Sequence, residues 1–233
     1  NTGLELYMYG TPIRMSDFSW TININWSTNR NRVVDLGEGI DNLQLTKISS
    51  GITINAAKGE AYGVIKGKDY VYTNGQKTVG ADGFYLKTDE SNLSIGNINP
   101  DWIGGVTNTF RYKNVALSFL IDVRKGGQVF STDMYYGLDG GLYPETAGLN
   151  DLGNPVRNSI ADGGGIINPG VKADGTPNTT RVDIGKAYGS YGDTKKPDAA
   201  FVYDASYVKL RELTLTYAWP LSKNSIIKGI DIS

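Results

Sequence analysis

Apolar and polar residues alternate with a period of two through Ser19–Ser27. Trp20, Ile22, Ile24 and Trp26 fall on one side of an extended chain, and Thr21, Asn23 and Asn25 on the other. Over this length the alternation predicts a β-strand with one apolar and one polar face. A second stretch repeats it: Val115, Leu117, Phe119, Ile121 and Val123 share one face, Ala116, Ser118, Leu120, Asp122 and Arg124 the other. Its partner is expected at Val106–Tyr112, joined through a tight turn at Tyr112-Lys113-Asn114. A third stretch, Tyr207–Tyr217, has two readings. Strict alternation sets Leu213, Leu215 and Tyr217 on one face with Tyr207, Lys209 and Arg211. A one-residue slip near Glu212, as a β-bulge gives, moves Val208 and Leu210 to the apolar face instead.

The connections between these strands are unequal. Short ones are expected at Pro12–Asp17, at Tyr112–Asn114 and around Leu221–Lys228, and very long ones at about 30–104 and 126–200. Structureless loops of that length do not suit a compact soluble domain. Long strands joined by short turns at one end and long excursions at the other suit an outer-membrane barrel, with the long loops outside. The predicted fold is therefore all-β: antiparallel strands forming part of a large transmembrane β-barrel. In it Trp20, Ile22, Ile24, Trp26, Leu117, Phe119 and Ile121 face lipid, and Thr21, Asn23, Asn25, Ser118 and Asp122 face the lumen. The rival architecture is a soluble secreted β-sandwich that binds carbohydrate, with the same tryptophans and isoleucines buried against a second sheet. Within the long segments, Gly51–Asn55 and Asp69–Gln76 read as short strands with a hairpin turn at Asn74-Gly75. Residues 137–192 are rich in Gly, Asn, Asp and Pro and read as irregular loop.

Composition narrows the chemistry. Of 233 residues 15 are tyrosine and 30 glycine, the formal charge is −1, and Cys and His are both absent. This excludes disulfides, thiolate and His-rich metal sites, and Ser-His-Asp or Cys-His catalysis. The charge balance offers no nucleic-acid footprint. No apolar run approaches the length of a spanning helix. Gly63–Asp69 resembles a phosphate loop, but it is one residue short and lacks the Ser or Thr after the lysine. Asp82-Gly83 and Asp174-Gly175 could open calcium loops but lack the oxygen ligands that should follow. Glycosylation sequons occur at Asn25, Asn92 and Asn178. A glycoside hydrolase would need two carboxylates at a fixed separation, and nothing positions a pair such as Asp89-Glu90. No catalytic residue, metal or cofactor is expected. Tyr135, Tyr136, Tyr143, Tyr188 and Tyr191 stand among Gly and Asp in the second long segment. They are candidates to stack on a ligand or anchor a partner, or else to pack the loop.

Several blocks resemble the SusC-like (SusC/RagA) family of TonB-dependent outer-membrane transporters of Bacteroidetes: Asn99–Lys113, Leu117–Gly127 ending in Arg124-Lys125-Gly126-Gly127, and Phe201–Tyr217 followed by Pro220. Thr11–Ile13 through Phe18 and Trp20 to Asn29–Val34, and Gly59–Val64, fit as well. The blocks run through nearly the whole chain in the family's order. The resemblance implies a fragment of the C-terminal part of the barrel, residues 1–233, without the plug domain or the last strands. Asn1 and Ile230–Ser233 both read as lying inside strands, in keeping with an internal piece. It further implies TonB-dependent import of oligosaccharides or other large nutrients such as peptides, and no enzyme activity. The implied partners are a SusD-like surface lipoprotein, TonB through the absent plug, and outer-membrane lipid, with the cell outer membrane as location. The 22-stranded barrels of such transporters could not close with the six or so strands expected here.

Overall fold

The computed structural model describes residues 1–49, 51–184, 191–192, 194–220 and 231–232. The first strands are β1 (Thr2–Arg14), β2 (Phe18–Arg30), β3 (Asn42–Ser49), β4 (Ile52–Ala57) and β5 (Val64–Gly67). Next come β6 (Tyr72–Thr73), β7 (Gln76–Lys77), β8 (Leu93–Asn97), β9 (Trp102–Tyr112), β10 (Val115–Lys125) and β11 (Gln128–Phe130). A helix, α1 (Thr132–Asp139), precedes β12 (Ile166–Ile167), β13 (Arg181–Val182), β14 (Val202–Asp204), β15 (Tyr207–Ala218) and β16 (Asp231–Ile232). The chain divides into two compact units: residues 1–31, 99–127 and 204–233 form the first, residues 32–98 and 128–203 the second.

The first unit is a six-stranded sheet in the order β1-β2-β9-β10-β15-β16, with antiparallel pairing throughout. The turn between β9 and β10 falls where the sequence puts it, with Lys113 in the left-handed region at φ 51°. The expected short connection at Pro12–Asp17 is tighter than the sequence suggests: β1 continues to Arg14, and the backbone of Met15 donates to Phe18 at 2.7 Å. Thr11 and Pro12 are taken up by a register shift, Gly10 pairing with Ile22 but Ile13 with Trp20. A proline cannot donate to a ladder, so a bulge is where a strand tolerates one. The third short connection, around Leu221–Lys228, lies outside the described residues.

Both readings of β15 were open, and the register decides between them. Leu120 pairs with Glu212 but Ile121 pairs with Leu210, so Arg211 is the extra residue of a β-bulge. Val208 and Leu210 thereby join Leu213, Leu215 and Tyr217 on one face, opposite Val123, Ile121, Phe119, Leu117 and Val115.

The second unit is organised around a core of its own. A four-stranded sheet, β3-β4-β5-β8, contributes Ile52 and Ile65, which meet Phe130, Tyr135, Leu138 and Phe201. Tyr135 makes edge contacts with Phe201 at 5.1 Å and Tyr136 at 4.9 Å. The helix starts at Ser131, whose side chain accepts from the backbone of Met134, as an N-cap should. The hairpin expected at Asn74-Gly75 forms, both residues lying at positive φ (51° and 76°) between β6 and β7. The described residues of the stretch 137–192 are largely irregular but held in place, because side chains satisfy carbonyls that no ladder reaches. Arg157 donates to the carbonyls of Thr146 and Gly141, each at 2.8 Å, and Asn150 donates to Gly163 and Gly165 at 2.7 and 3.0 Å. No helix among the described residues is long and apolar enough to cross a membrane.

Candidate functional site

The first unit presents two faces of opposite chemistry, and the register shows which residues share each. On one face Met8, Ile24, Val106, Ile121 and Leu210 line up across five strands. Trp20, Phe110, Leu117 and Leu215 form another row towards the short turns. Trp20 stacks on Phe110 with ring centroids 5.9 Å apart, and Phe110 on Phe119 at 6.2 Å. Midway along this face stands a polar side chain, Asn108 opposite Ile22, whose oxygen accepts the Trp20 indole N–H at 3.0 Å. The predicted apolar residues Trp20, Ile22, Ile24, Trp26, Leu117, Phe119 and Ile121 therefore all belong to one surface. None of them is among the buried core residues. Towards β15 the same face bares Val208, Leu213 and Leu215, which are 72%, 65% and 62% exposed.

The opposite face carries the predicted polar set. Thr21 meets Thr11 with hydroxyls 3.2 Å apart, and Ser118 meets Thr109 at 3.1 Å. Asn23 donates to the Tyr7 hydroxyl at 3.1 Å, while its carbonyl oxygen is buried with no donor among the described residues. Asn25 lies against Gly105, where a Cβ would come within 3.1 Å of its amide nitrogen. Asp122 is the hub of a cluster: it accepts from the Tyr207 hydroxyl at 3.1 Å and from Arg211, whose Nε lies 3.0 Å away and whose Nη2 closes an ion pair. The bulge is what brings Arg211 to this face. The sequence singled out Asp122 but not its partners, and the slip near Glu212 was the available signal.

The loop tyrosines divide. Tyr135 is 8% exposed and belongs to the hydrophobic core, so packing, not ligand contact, explains it. Tyr143 and Tyr191 pack against that core, and burial raises the pKa of the Tyr191 hydroxyl, with the nearby Glu145 charge adding to the rise. Tyr136 stands exposed, its hydroxyl 2.7 Å from Ser49. Tyr188 lies outside the described residues.

The other sequence motifs resolve into structure. Gly63–Asp69 contributes the buried strand β5, with Lys66 ion-paired to Glu60 at 3.0 Å. Asp82 and Asp174 cap their own turns, accepting from the backbones of Phe84 and Thr176. Asn178 is 8% exposed and donates to the carbonyl of Asn168 at 2.9 Å, which occupies the amide a sequon would offer. Among the described residues no His, Cys, Asp or Glu side chains gather as a metal site.

No family model matches the chain. It is similar over 96% of its length to TonB-dependent receptor P26 of Formosa agariphila, at 26% identity, and over 95% to TonB-dependent receptor P3 of the same organism, at 25%. The chain spans 22% of the length of each of these curated relatives. Among solved structures it resembles the RagAB peptide transporter, with a TM-score of 0.57 at 19% identity over 97% of the chain and 24% of that one. The RagAB peptide importer in its "open-open" state matches equally in shape, with a TM-score of 0.57 at 16% identity over 97% of the chain and 23% of that one. The structural likeness carries the fold, and the sequence likeness carries the kinship. Together with the two-faced sheet they make this chain similar, over nearly its whole length, to TonB-dependent receptors, with the fold of an outer-membrane β-barrel segment.

Proposed function

We propose that the intact protein imports oligosaccharides or other large nutrients, peptides included, across the outer membrane under TonB control, and that a SusD-like surface lipoprotein works with it. TonB would act through the receptor's plug region. Transport, not catalysis, is the role. The observation that carries this reading is the sheet of the first unit, whose apolar face is nowhere closed into a core, its large side chains half-buried on the middle strands and exposed on β1 and β15, while its polar face holds a linked set of hydroxyls, amides and one ion pair. In this reading Trp20, Ile22, Ile24, Trp26, Leu117, Phe119 and Ile121 meet lipid, and Thr21, Asn23, Asn25, Ser118 and Asp122 line the lumen. Dimensions support it. Trp102 and Tyr112 lie on the apolar face at the two ends of β9; their separation of roughly 33 Å along the strand becomes about 25 Å across the membrane at the usual barrel tilt. Aromatic side chains at both ends of such a band suit the two interfaces. The long connections then face outside, where Tyr136 is available to cargo or lipoprotein.

The direct test is uptake by cells carrying the intact receptor, with and without TonB; uptake that persists without TonB would sink the reading. The two faces are tested separately. In a reconstituted receptor cleared of any other cysteines, single cysteines at Ile22 and Asn23 can be given fluorophores; this segment itself contains none. Brominated lipid should quench the probe at Ile22 strongly and the probe at Asn23 weakly.

A further inference from the structure

Two hairpin turns of the first unit lie side by side at one end of its sheet. The backbone of Lys113, in the β9-β10 turn, donates to the carbonyl of Asp17, in the β1-β2 turn, at 2.8 Å. The Lys113 ammonium stands 3.9 Å from the Asp17 carboxylate. Just inside these fastened turns the register sets Arg14, Ser19 and Arg111 in one row across β1, β2 and β9, the last row of the polar face. Two strand spacings, roughly 10 Å, separate the arginines at the backbone, with only the short Ser19 side chain between them. An extended arginine reaches further than half of that gap, so both guanidiniums can close on a common point above Ser19. The three residues line a cavity of about 280 Å³ together with Asp17 and Lys113.

The charges in this cavity are unbalanced. It holds three cations against one carboxylate, Asp17, which Lys113 already faces. Arg14 and Arg111 have no hydrogen bond or ion pair among the described residues. Arg211, on the same face of the sheet, is by contrast held by Asp122. Arg14, Arg111 and Lys113 are all exposed, so a ligand reaches them without any rearrangement of the fold.

The donors define that ligand. Each guanidinium presents a planar fork of N–H groups, and Lys113 adds ammonium protons. A carboxylate has two oxygens, and one fork fills it. A phosphate group has three or four, enough to accept a fork from each side and the ammonium on a further oxygen. We infer that this cavity binds a phosphate group, clamped between Arg14 and Arg111 with Lys113 as a further donor. The group can arrive free in solution or as the headgroup of an anionic lipid, since the opposite face of the same strand ends is apolar, with Phe18 paired to Tyr112. The inference needs only the two fastened hairpins and goes beyond the import reading.

The test titrates the intact receptor in detergent, by calorimetry, with inorganic phosphate, with short-chain phosphatidic acid and with acetate. At least one phosphate compound should bind more tightly than acetate, and the tighter of the two identifies the source. Arg14→Gln/Arg111→Gln should lose about tenfold or more in affinity for it. Arg111→Lys keeps the charge but not the fork and should lose part of that. Asp17→Asn removes the one opposing charge and should tighten binding roughly twofold to fivefold. The charge-matched control Arg30→Gln/Lys125→Gln, at the far ends of β2 and β10, should bind like the wild type. Neither phosphate compound binding, acetate binding as tightly, or a control that loses as much as the arginine pair overturns the inference. So does an arginine-pair variant that keeps full affinity. A ligand-free melting temperature lowered by the arginine pair means that another segment of the receptor already holds the guanidiniums, which overturns it as well. Asp17→Asn leaves both arginines in place and carries the test independently: unchanged or weaker phosphate binding there counts against the clamp.

Discussion

The two units of this chain place their apolar residues in opposite ways. In the six-stranded sheet the large apolar side chains are regular in sequence and never closed into a core: on β15 Val208, Leu213 and Leu215 each keep more than 60% of their surface exposed. In the second unit the sequence is rich in Gly, Asn and Pro, yet Phe201 and Ile52 are fully enclosed at 0%. Strong patterning therefore marks the part that has no interior of its own, and weak patterning the part that has one. The reason is the solvent. A sheet between lipid and a wet lumen needs every second residue apolar along its whole length, because its backbone is satisfied within the sheet and only side chains meet the surroundings. A unit that folds in water needs only a few apolar residues converging from distant points, and it meets its backbone demand with side chains such as Arg157 and Asn150.

That contrast can be broken by substitution, beginning with the largest effect. Phe201→Ala should cost ~3–5 kcal/mol by opening a cavity among Phe130, Tyr135 and Ile52. Hydrogen exchange on the intact receptor should show lost protection across 128–203 while β2, β9 and β10 keep theirs; loss in both would mean that the two units unfold as one. Next, Leu213→Arg should destabilise the lipid-embedded receptor by ~2–4 kcal/mol, and Thr214→Arg on the opposite face by much less. Heat-dependent gel mobility after reconstitution measures both, and equal effects would erase the distinction between the faces. A smaller loss, ~1–3 kcal/mol, is expected of Asn178→Ala, which leaves the buried carbonyl of Asn168 without its donor. It should appear as faster exchange confined to the 166–182 region.

The smallest effect depends on pH. Burial alone would raise the pKa of Glu60, but hydrogen bonds from Ser94 and Lys66 and the Lys66 charge outweigh it, so the pKa lies below the ordinary carboxylate value. A group depressed in the folded state lends stability above its unfolded pKa and loses it as pH falls through the folded value. Acidification below the usual carboxylate range should therefore lower the melting temperature of the second unit. Glu60→Gln should flatten that part of the curve, and a variant with the wild-type acid limb would remove Glu60 from the account.

Parts of the candidate site were readable from residues alone because they depend only on neighbours along the chain. The period of two assigned Ile22 and Asn23 to opposite faces, since successive side chains of a strand must alternate. The positive-φ demand of a two-residue hairpin picked out Asn74-Gly75. The helix at Thr132–Asp139 had its signals too, with Ser131 as N-cap, Asp133 in the first turn and Tyr135 and Leu138 on one face, but the Gly-rich surroundings masked them. The partners of Asp122 needed more: one inserted residue decides whether Arg211 joins it, and both alignments of β15 are compatible with the sequence.

By itself, then, the sequence determined the two-faced strands, their tight turns and the kinship, because these follow from local geometry and from resemblance along the chain. Tertiary structure alone decided that Arg211 completes the Asp122 cluster, that Tyr135 is core while Tyr136 is surface, and that Arg14 and Arg111 stand in one row on either side of Ser19. Each of these depends on which distant segment lies opposite, as when Asn168 reaches the carbonyl of Gly83 from 85 residues away. Such pairings are chosen by the whole set of contacts together, and no short stretch of sequence carries that information.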